Sequence, residues 1–283
     1  MSPEAFHKWL QHGTRQPLVM GILNITPDSF SDGPRYFSRD AAIARAEQIV
    51  EQGADLIDLG GESTRPGSAS VPAEEQINRV VPVLEHICRR SNITCSIDTT
   101  SSEVAGAALN AGATFINDIS AARFDEQMLP LAARRHVPIV LMHMQGTPAT
   151  MQQSPHYVDV IAEVSDFLRE RMNAAQAAGV PICNILLDPG IGFGKNLQHN
   201  LTLLNRQKEL LSLGRPLVIG TSRKKFIGTL TGVDDPSRRL AGTLATTAWA
   251  VANGAGIVRV HDVEENVRAV RMVRAILNNS PEI

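Results

Sequence analysis

The chain has 283 residues, of which 43% are hydrophobic and 20% charged, a composition that is typical of a folded protein and excludes a disordered one. Its formal net charge of −2 gives no sign of a nucleic-acid-binding surface, so any anionic ligand must be held by local cations. No apolar run approaches the roughly 20 residues that cross a bilayer, and the first residues lack a signal-peptide pattern, so we expect a cytoplasmic protein.

Short apolar runs, each ending at polar residues, predict eight strands. In chain order they cover residues 19–24, 56–61, 94–98, 115–118, 139–143, 185–188, 217–224 and 257–261. Ile, Val and Leu dominate these runs with little alternation, as expected for strands that are buried on both faces.

Amphipathic stretches follow the runs and predict the helices between them. They cover residues 40–54, 73–90, 101–113, 125–135, 157–179, 197–213, 223–230, 236–253 and 264–279. In the first of them Ile43, Ala46 and Ile49 recur at helical spacing, and Gly53 is a stop signal. Strand and helix alternate eight times, which indicates a parallel sheet with right-handed crossovers.

Eight such units favour an α/β fold of the TIM type, a closed (β/α)8 barrel, over an open doubly wound sheet. We place residues 1–16 outside the barrel as an N-terminal cap and residues 17–283 in a single barrel domain. The longest loops, 25–39 and 62–72, are rich in Ser, Asp, Gly and Pro. We expect both loops to fold over a bound substrate at the barrel mouth, where the C-terminal ends of all the strands meet.

Cationic and hydroxyl side chains follow strands seven and eight, where this barrel class often binds phosphate. Residues 221–225 read Thr-Ser-Arg-Lys-Lys before a helix, and hydroxyls, cations and free helix N–H groups suit an oxyanion. Arg259 and His261 are two apart on strand eight, so they are expected to face the same side. The loop after strand two adds Ser63, Thr64 and Arg65. For any one of these residues, a solvated loop charge is the alternative interpretation.

Two carboxylates and an amide end strands three, six and four, at Asp98, Asp188 and Asn117. Together they could accept hydrogen bonds from a flat, amino-rich heterocycle or bind a metal, although Asp and Asn also cap helices well. No His, Cys or carboxylate spacing marks a transition-metal site. Asn24 alone is a weak ligand for a hard cation, but beside a pyrophosphate it could hold Mg²⁺, which uses few protein groups and several waters.

Other motif matches fail. Residues 188–195, DPGIGFGK, do not meet the GxxxxGK[ST] spacing of a phosphate loop, so we predict a tight strand-to-helix turn with Phe193 able to stack on a ring. His143 lies between methionines and is interpreted as a core or rim residue, with Met142 as an apolar wall. HExxH, GxSxG and CxxC motifs are missing, which argues against a zincin, an α/β-hydrolase and a dithiol enzyme.

Eight segments together resemble dihydropteroate synthase of bacterial folate synthesis, and the resemblance spans essentially the whole chain after residue 17. They are MGILNITPDSFSDG (20–33), DLGGESTRPG (58–67), SIDT (96–99), INDIS (116–120), LMHMQGTP (141–148), LDPGIGFGKN (187–196), TSRKKFIG (221–228) and RVHDV (259–263). The resemblance implies an eight-stranded α/β barrel. It also implies condensation of 6-hydroxymethyl-7,8-dihydropterin pyrophosphate with 4-aminobenzoate, assisted by Mg²⁺ and inhibited by sulfonamides.

The resemblance further implies a role for each matching residue. The pterin contacts would be Asp98, Asn117, Met142, Asp188, Phe193 and Lys224. The pyrophosphate contacts would be Asn24, Thr64, Arg65, Arg259 and His261, with Asn24 also binding Mg²⁺. The 4-aminobenzoate contacts would be Thr64, Pro66, Ser222 and Lys224. The catalytic residues would be Asp98, Lys224, Arg259 and His261.

An aniline nitrogen is a poor nucleophile, so we expect a dissociative reaction in which pyrophosphate leaves first and Asp98 stabilises the pterin cation. Two other functions remain as alternatives. A pterin-binding methyltransferase domain would use a similar barrel and acid set without a pyrophosphate site, and a scaffold barrel would bind without catalysis. The resemblance also implies a homodimer formed through the last helices.

Overall fold

A computed structural model describes residues 1–12, 16–26, 35–63 and 70–280, with the backbone alone for residues 35–38. In this part of the chain, eight strands alternate with helices. The strands are β1 (Leu18–Asn24), β2 (Leu56–Gly60), β3 (Thr94–Asp98), β4 (Phe115–Asp118), β5 (Ile139–Met142), β6 (Ile185–Asp188), β7 (Val218–Ile219) and β8 (Ile257–Val260). The helices are α1 (Pro3–Gln11), α2 (Arg35–Glu51), α3 (Ala73–Arg90), α4 (Ser102–Asn110), α5 (Met128–Arg135), α6 (Val160–Ala177), α7 (Leu197–Asn205), α8 (Gln207–Leu210), α9 (Lys225–Thr231), α10 (Leu240–Ala252) and α11 (Val263–Asn278).

The strands pair in parallel in the order β6-β5-β4-β3-β2-β1-β8-β7. β6 and β7 close the ring, because Leu187 bridges to Leu217 and its N–H donates to the carbonyl oxygen of Pro216 at 3.0 Å. The described strands therefore form a closed (β/α)8 barrel of the TIM type, and the prediction against an open sheet is confirmed.

The two faces of each strand contribute to two different apolar clusters, since successive side chains point to opposite sides. Val19 and Ile57 belong to the large cluster between the strands and the helices. Their neighbours Met20 and Leu56 belong to a second cluster inside the ring. Both faces of the strands are thus buried, which explains the continuous apolar runs in the sequence.

Helix α1 closes the N-terminal end of the barrel. Phe6, Trp9 and Leu10 are buried in the inner cluster. The ring of Phe6 packs on that of Phe115 at the start of β4, with 4.9 Å between centroids. The predicted N-terminal cap, residues 1–16, includes this helix, and its boundary at residue 16 stays a prediction.

Some predicted elements differ from the structure in their bounds. α2 begins at Arg35, so the predicted loop 25–39 ends earlier than expected, and its residues 27–34 lie outside the described residues. The predicted helix 197–213 is interrupted at Arg206, whose φ of −97° and ψ of 18° depart from helical geometry. The predicted helix 236–253 begins at Leu240, because a 3₁₀ turn comes first.

The predicted seventh strand, residues 217–224, is a strand only at Val218–Ile219. The chain turns after it, and Arg223 in this segment adopts a left-handed conformation with φ +59°. No helix in the described part of the chain is both long enough and apolar enough to cross a membrane.

Candidate active site

Three of the predicted site residues, Asn24, Asp98 and Asp188, end strands at the barrel mouth, and Asn117 stands one residue before the end of β4. In the strand register Asn24 is opposite Gly60, Gly60 is opposite Asp98, and Asp98 is opposite Asn117. Asp188 ends β6 opposite Met142 at the end of β5. The register therefore brings together side chains that are spread over most of the sequence.

Helix capping does not explain these residues. The N-cap of α4, the helix that follows Asp98, is Ser101, whose Oγ accepts from the N–H of Val104. Asn117 donates from Nδ2 to Asp58 instead of to a helix end. Asp188 accepts from the N–H of Gly190 at 2.7 Å and so supports the turn after β6.

A buried ionic network lies beneath the mouth. Arg259 on β8 donates from Nε to Oδ2 of Asp58 at 2.5 Å and from Nη2 to Oδ2 of Asp98 at 2.7 Å. Asp58 is fully buried and also accepts from Ser96 and Asn117. The guanidinium thus stands between two carboxylates, one at the mouth and one below it.

The other oxygen of Asp98 is available to a ligand. Oδ1 is buried and has no hydrogen-bond partner among the described residues. Burial raises the pKa of Asp98 to about 7, with Asp58 and Asp118 adding to the rise and Arg259 opposing it. A buried acceptor without a donor is costly to leave unpaired, so this oxygen suits an N–H group of a bound molecule.

Lys224 lies across the mouth from the acids. Its ammonium nitrogen is 4.7 Å from the centre of the Phe193 ring and donates to the carbonyl oxygen of Ile191. Burial lowers the pKa of Lys224 to about 8, although Asp188 opposes this fall. Burial also raises the pKa of Asp188, while the charge of Lys224 opposes that rise.

The segment 188–195 forms a tight glycine turn, as predicted, and not a phosphate loop. Gly190 has φ +68°, and a Cβ at this position would lie 1.8 Å from the carbonyl oxygen of His143. The turn presents Phe193 to the pocket beside Met142, in a small apolar cluster with Ile119 and Met144. This cluster is suited to the face of a planar ring.

His143 is a buried core residue, which confirms that interpretation. Its Nδ1 lies 2.9 Å from Nζ of the buried Lys195, which also donates to the carbonyl oxygen of Phe193 at 2.9 Å. Burial and the charge of Lys195 lower the pKa of His143 to about 2. Its imidazole therefore stays neutral and supports the glycine turn.

The residues after β7 and β8 hold each other in place. Ser222 Oγ accepts from the backbone N–H of His261 at 3.1 Å and lies 3.0 Å from its Nδ1. These two contacts fix the position of the imidazole ring against Ser222, whichever of the two side chains donates. Arg223 pairs with Asp262, the next residue along.

Thr64, Arg65 and Pro66 lie outside the described residues, so their predicted contacts stay predictions. The ends of their loop are described. Glu62 accepts from the N–H of Val71 at 2.8 Å and from Gln76 on α3 at 3.4 Å. These bonds join the two ends of the loop at the mouth.

A magnesium ion fits Asn24 only with help from a substrate. The described residues contain no group of three His, Cys, Asp or Glu side chains that could hold a metal. Oδ1 of Asn24 faces the neighbouring strand, where it would be 3.6 Å from a Cβ at Gly60. A single amide oxygen suits Mg²⁺ that is otherwise held by phosphate oxygens and water.

Sequence reasoning assigned no role to Asp58 or Lys195. Asp58 stands two residues before the end of β2, so it points into the ring like Gly60 but one layer deeper. That parity was the available signal. Lys195 had no such signal, because its direction depends on the glycine turn before it.

Comparisons with known proteins agree with this geometry. A model of the family described as pterin-binding enzymes matches residues 20–261. Dihydropteroate synthase of Escherichia coli (strain K12) is 48% identical over 262 residues, which cover 93% of this chain and 92% of the relative.

Two solved structures are also similar. Xanthomonas albilineans dihydropteroate synthase with 4-aminobenzoic acid is 46% identical, covers 93% of both chains and has a TM-score of 0.88. Yersinia pestis dihydropteroate synthase in a sulfonamide drug complex is 44% identical with a TM-score of 0.88, covering 93% of this chain and 95% of the other. With these matches over nearly its whole length, the chain belongs to the pterin-binding enzymes and, among them, to the dihydropteroate synthase family.

Proposed function

We propose that this protein is a transferase of folate biosynthesis that condenses 6-hydroxymethyl-7,8-dihydropterin pyrophosphate with 4-aminobenzoate, giving 7,8-dihydropteroate and pyrophosphate. The observation that carries the proposal is the unpartnered, buried Oδ1 of Asp98 at a mouth shared with Asn117, Asp188 and Arg259. Such a set suits a ring rich in N–H groups that carries an anionic tail.

The pterin ring is bound by acceptors at its edge and apolar groups at its face. Asp98, Asn117 and Asp188 lie at or next to the ends of neighbouring or nearby strands and offer oxygens to ring N–H groups. Met142 and Phe193 supply the apolar contact. Lys224 stands beside Phe193 and across from Asp188, so we place it between the pterin and the 4-aminobenzoate.

The pyrophosphate is bound on the cationic side of the mouth. Arg259 uses Nε and Nη2 for the two carboxylates, and Nη1 has no hydrogen-bond partner among the described residues. His261, whose ring is held by Ser222, is the second pyrophosphate contact on this side. The predicted contacts Thr64 and Arg65 complete this side. Mg²⁺, when bound with Asn24, would neutralise charge on the departing pyrophosphate.

The reaction then needs positioning and charge stabilisation, not a nucleophile of the enzyme. Arg259 and His261 stabilise the pyrophosphate as its C–O bond breaks, and the positive charge that develops on the pterin lies next to ionised Asp98. The amine of 4-aminobenzoate, held by Ser222, Lys224, Thr64 and Pro66, attacks the methylene carbon and loses a proton. His143 takes no part, since it is buried beneath the glycine turn.

A pyrophosphate-release assay tests the function. The protein is expected to release pyrophosphate from the pterin pyrophosphate only when 4-aminobenzoate is present, and a sulfonamide that competes with 4-aminobenzoate should lower the rate. A pterin-binding methyltransferase would release no pyrophosphate. A non-catalytic scaffold barrel would also release none and should fail to bind the pterin substrate at micromolar concentration. Either result would refute the proposal.

Self-association and location are further parts of the proposal. Met272 and Ile276, one turn apart on α11, expose 62% and 64% of their surface, and Trp249 on the neighbouring α10 exposes 47%. This apolar face supports a homodimer formed through the last helices. A cytoplasmic location stays a prediction.

A further inference from the structure

We infer that Asp58 is a positioning residue of the pterin site, which sets the orientation of the Asn117 amide and of the Arg259 guanidinium without touching the substrate. The inference deepens the proposed function and rests on it, because it assigns the selectivity of the site for N–H-bearing rings to a carboxylate one layer below the mouth.

Asp58 joins three other strands from the middle of β2. Its Oδ1 accepts from Oγ of Ser96 on β3 at 2.5 Å. Its Oδ2 accepts both from Nδ2 of Asn117 on β4 at 3.0 Å and from Nε of Arg259 on β8 at 2.5 Å. Asp58 is fully buried, so these bonds do not compete with bulk water.

The bond to Asn117 decides which end of the amide faces a ligand. A carboxylate only accepts hydrogen bonds, so Asn117 has to turn its NH₂ group toward Asp58. Its Oδ1 is then directed away from Asp58, toward the mouth. With Asp98 and Asp188 beside it, the site presents acceptors at all three positions, and a ligand with N–H donors is preferred over one with carbonyl oxygens.

The bond to Arg259 fixes the plane of the guanidinium. Asp58 and Asp98 engage Nε and Nη2, which leaves Nη1 to face a ligand. Burial opposes the charge of Arg259, but the two carboxylates raise its pKa above the ordinary value. The cation is therefore retained in the pocket and held in one orientation.

Asp58→Leu keeps nearly the same side-chain shape but offers no hydrogen-bond acceptor. Asn117 then becomes free to flip, and Nε of Arg259 loses its partner. Calorimetry with 6-hydroxymethylpterin and with its 2-oxo analogue, in which a carbonyl replaces the amino group, should show pterin affinity falling about 10-fold or more. The preference for the pterin over the analogue should shrink, while the KM for 4-aminobenzoate changes by less than about threefold.

Asp58→Asn supplies the conservative comparison. Its amide oxygen can take the place of Oδ2 and accept from both Asn117 and Arg259, while its NH₂ group is directed to Oγ of Ser96, which can accept. Asp58→Asn is therefore expected to keep more of the preference for the pterin than Asp58→Leu. A role in folding alone predicts the same preference in both variants.

Each result decides the matter. An unchanged preference for the pterin over its 2-oxo analogue in Asp58→Leu would overturn the inference, as would equal losses of affinity for the pterin and for 4-aminobenzoate. An Asp58→Asn variant that is no better than Asp58→Leu would overturn it as well. If the Asp58 variants do not fold, Ser96→Ala tests the inference instead, because it removes one hydrogen bond and leaves the Asp58 carboxylate free to rotate. An unaltered preference for the pterin over its 2-oxo analogue would overturn the inference. A smaller preference would support it. A wild-type protein that binds no pterin would instead refute the proposed function itself.

Discussion

Asp98 combines an unpaired oxygen for the substrate with a charge that Arg259 holds in place. Replacing it with Asn keeps the shape and one acceptor but removes the negative charge. Turnover should therefore fall about 100-fold or more, the size of effect seen when one transition-state contact is lost. Pterin affinity should fall less, about 10-fold or under. Stopped-flow or steady-state kinetics and calorimetry measure the two quantities separately.

Asp118 supplies the matched control. It is also a buried acid at a strand end, but it accepts from the N–H and Oγ of Ser120 and from the N–H of Ala122, so it supports a loop and does not face the mouth. Asp118→Asn should lower the melting temperature and leave turnover per folded chain nearly unchanged. If Asp98→Asn kept full turnover, the role of Asp98 in stabilising the cation would be wrong.

The pKa values of Asp98 and Lys224 predict a bell-shaped pH profile. The carboxylate that stabilises the pterin cation forms as the pH rises through about 7, and the ammonium of Lys224 is lost as the pH rises through about 8. kcat/KM for the pterin substrate should thus rise through the first value and fall above the second. In Lys224→Arg the cation persists, so the alkaline fall should disappear from the residual activity while the acid limb remains.

The wild type and Lys224→Arg act on the same substrate, so ionisation of its pyrophosphate group contributes equally to both pH profiles. An alkaline limb that stays at the same pH in Lys224→Arg would show that another group titrates there.

The residues that sequence reasoning found and missed differ in their position along a strand. Asp98, Asn117 and Asp188 were found because polar residues that end apolar runs meet at one mouth. Asp58 is surrounded by apolar residues within its run, and its role follows from its partners on other strands. Hydrogen-bond partners on other strands are set by the register of the strands in the sheet. The hydrophobic pattern alone does not determine that register.

Among the elements, the glycine turn of residues 188–195 follows β6 and places Phe193 at the pocket. Gly190 needs both its left-handed φ of +68° and the space next to His143, whose carbonyl oxygen would be 1.8 Å from a Cβ. Gly214 has a similar φ of +70° but no atom within 4 Å of such a Cβ. Gly214→Ala should cost about 1–2 kcal/mol of unfolding free energy from the backbone alone.

Gly190→Ala should lose about 1–3 kcal/mol more than Gly214→Ala, because the clash adds overpacking to the backbone strain. Urea denaturation of both variants measures the difference. Equal losses would mean that the turn relaxes and that contact with His143 does not constrain it.

Element bounds were predictable where local chemistry sets them and were missed where side chains from elsewhere do. α3 begins at Ala73 and ends at Arg90, as its amphipathic pattern predicts. The break after α7 was missed because Arg206 binds Asp159, the N-cap residue of α6, as well as its neighbour Glu209. A contact between two helices decides that boundary, and no periodicity within 197–213 carries it.

For the whole molecule, barrel closure followed from counting strand–helix units, since eight parallel units bury both faces and leave no open edge. The ring closes between β6 and β7 with little backbone pairing. β7 has only two residues, and a single bridge joins Leu187 to Leu217. The count of strand–helix units predicts that the ring closes, but it does not predict how few hydrogen bonds close it.

The exposed surface of α10 and α11 predicts that the whole molecule forms a homodimer. Met272 and Ile276 form one exposed apolar face, and Trp249 lies on the adjacent helix. Ile276→Glu would bury a charge without a partner in a symmetric interface, so the dimer should weaken by about 2 kcal/mol or more. Sedimentation equilibrium at micromolar protein should then show a dimer for the wild type and a monomer for the variant.

Val158 provides the control, because it is 94% exposed and precedes α6, away from α10 and α11 in the sequence. Val158→Glu adds the same charge and should leave the mass in solution unchanged. Since the acids and cations of the site all come from one chain, the Ile276→Glu monomer should keep its turnover per chain. A wild type that sediments as a monomer would show that this apolar face has another partner or none, and a turnover lost with the dimer would show that the second chain supports the mouth.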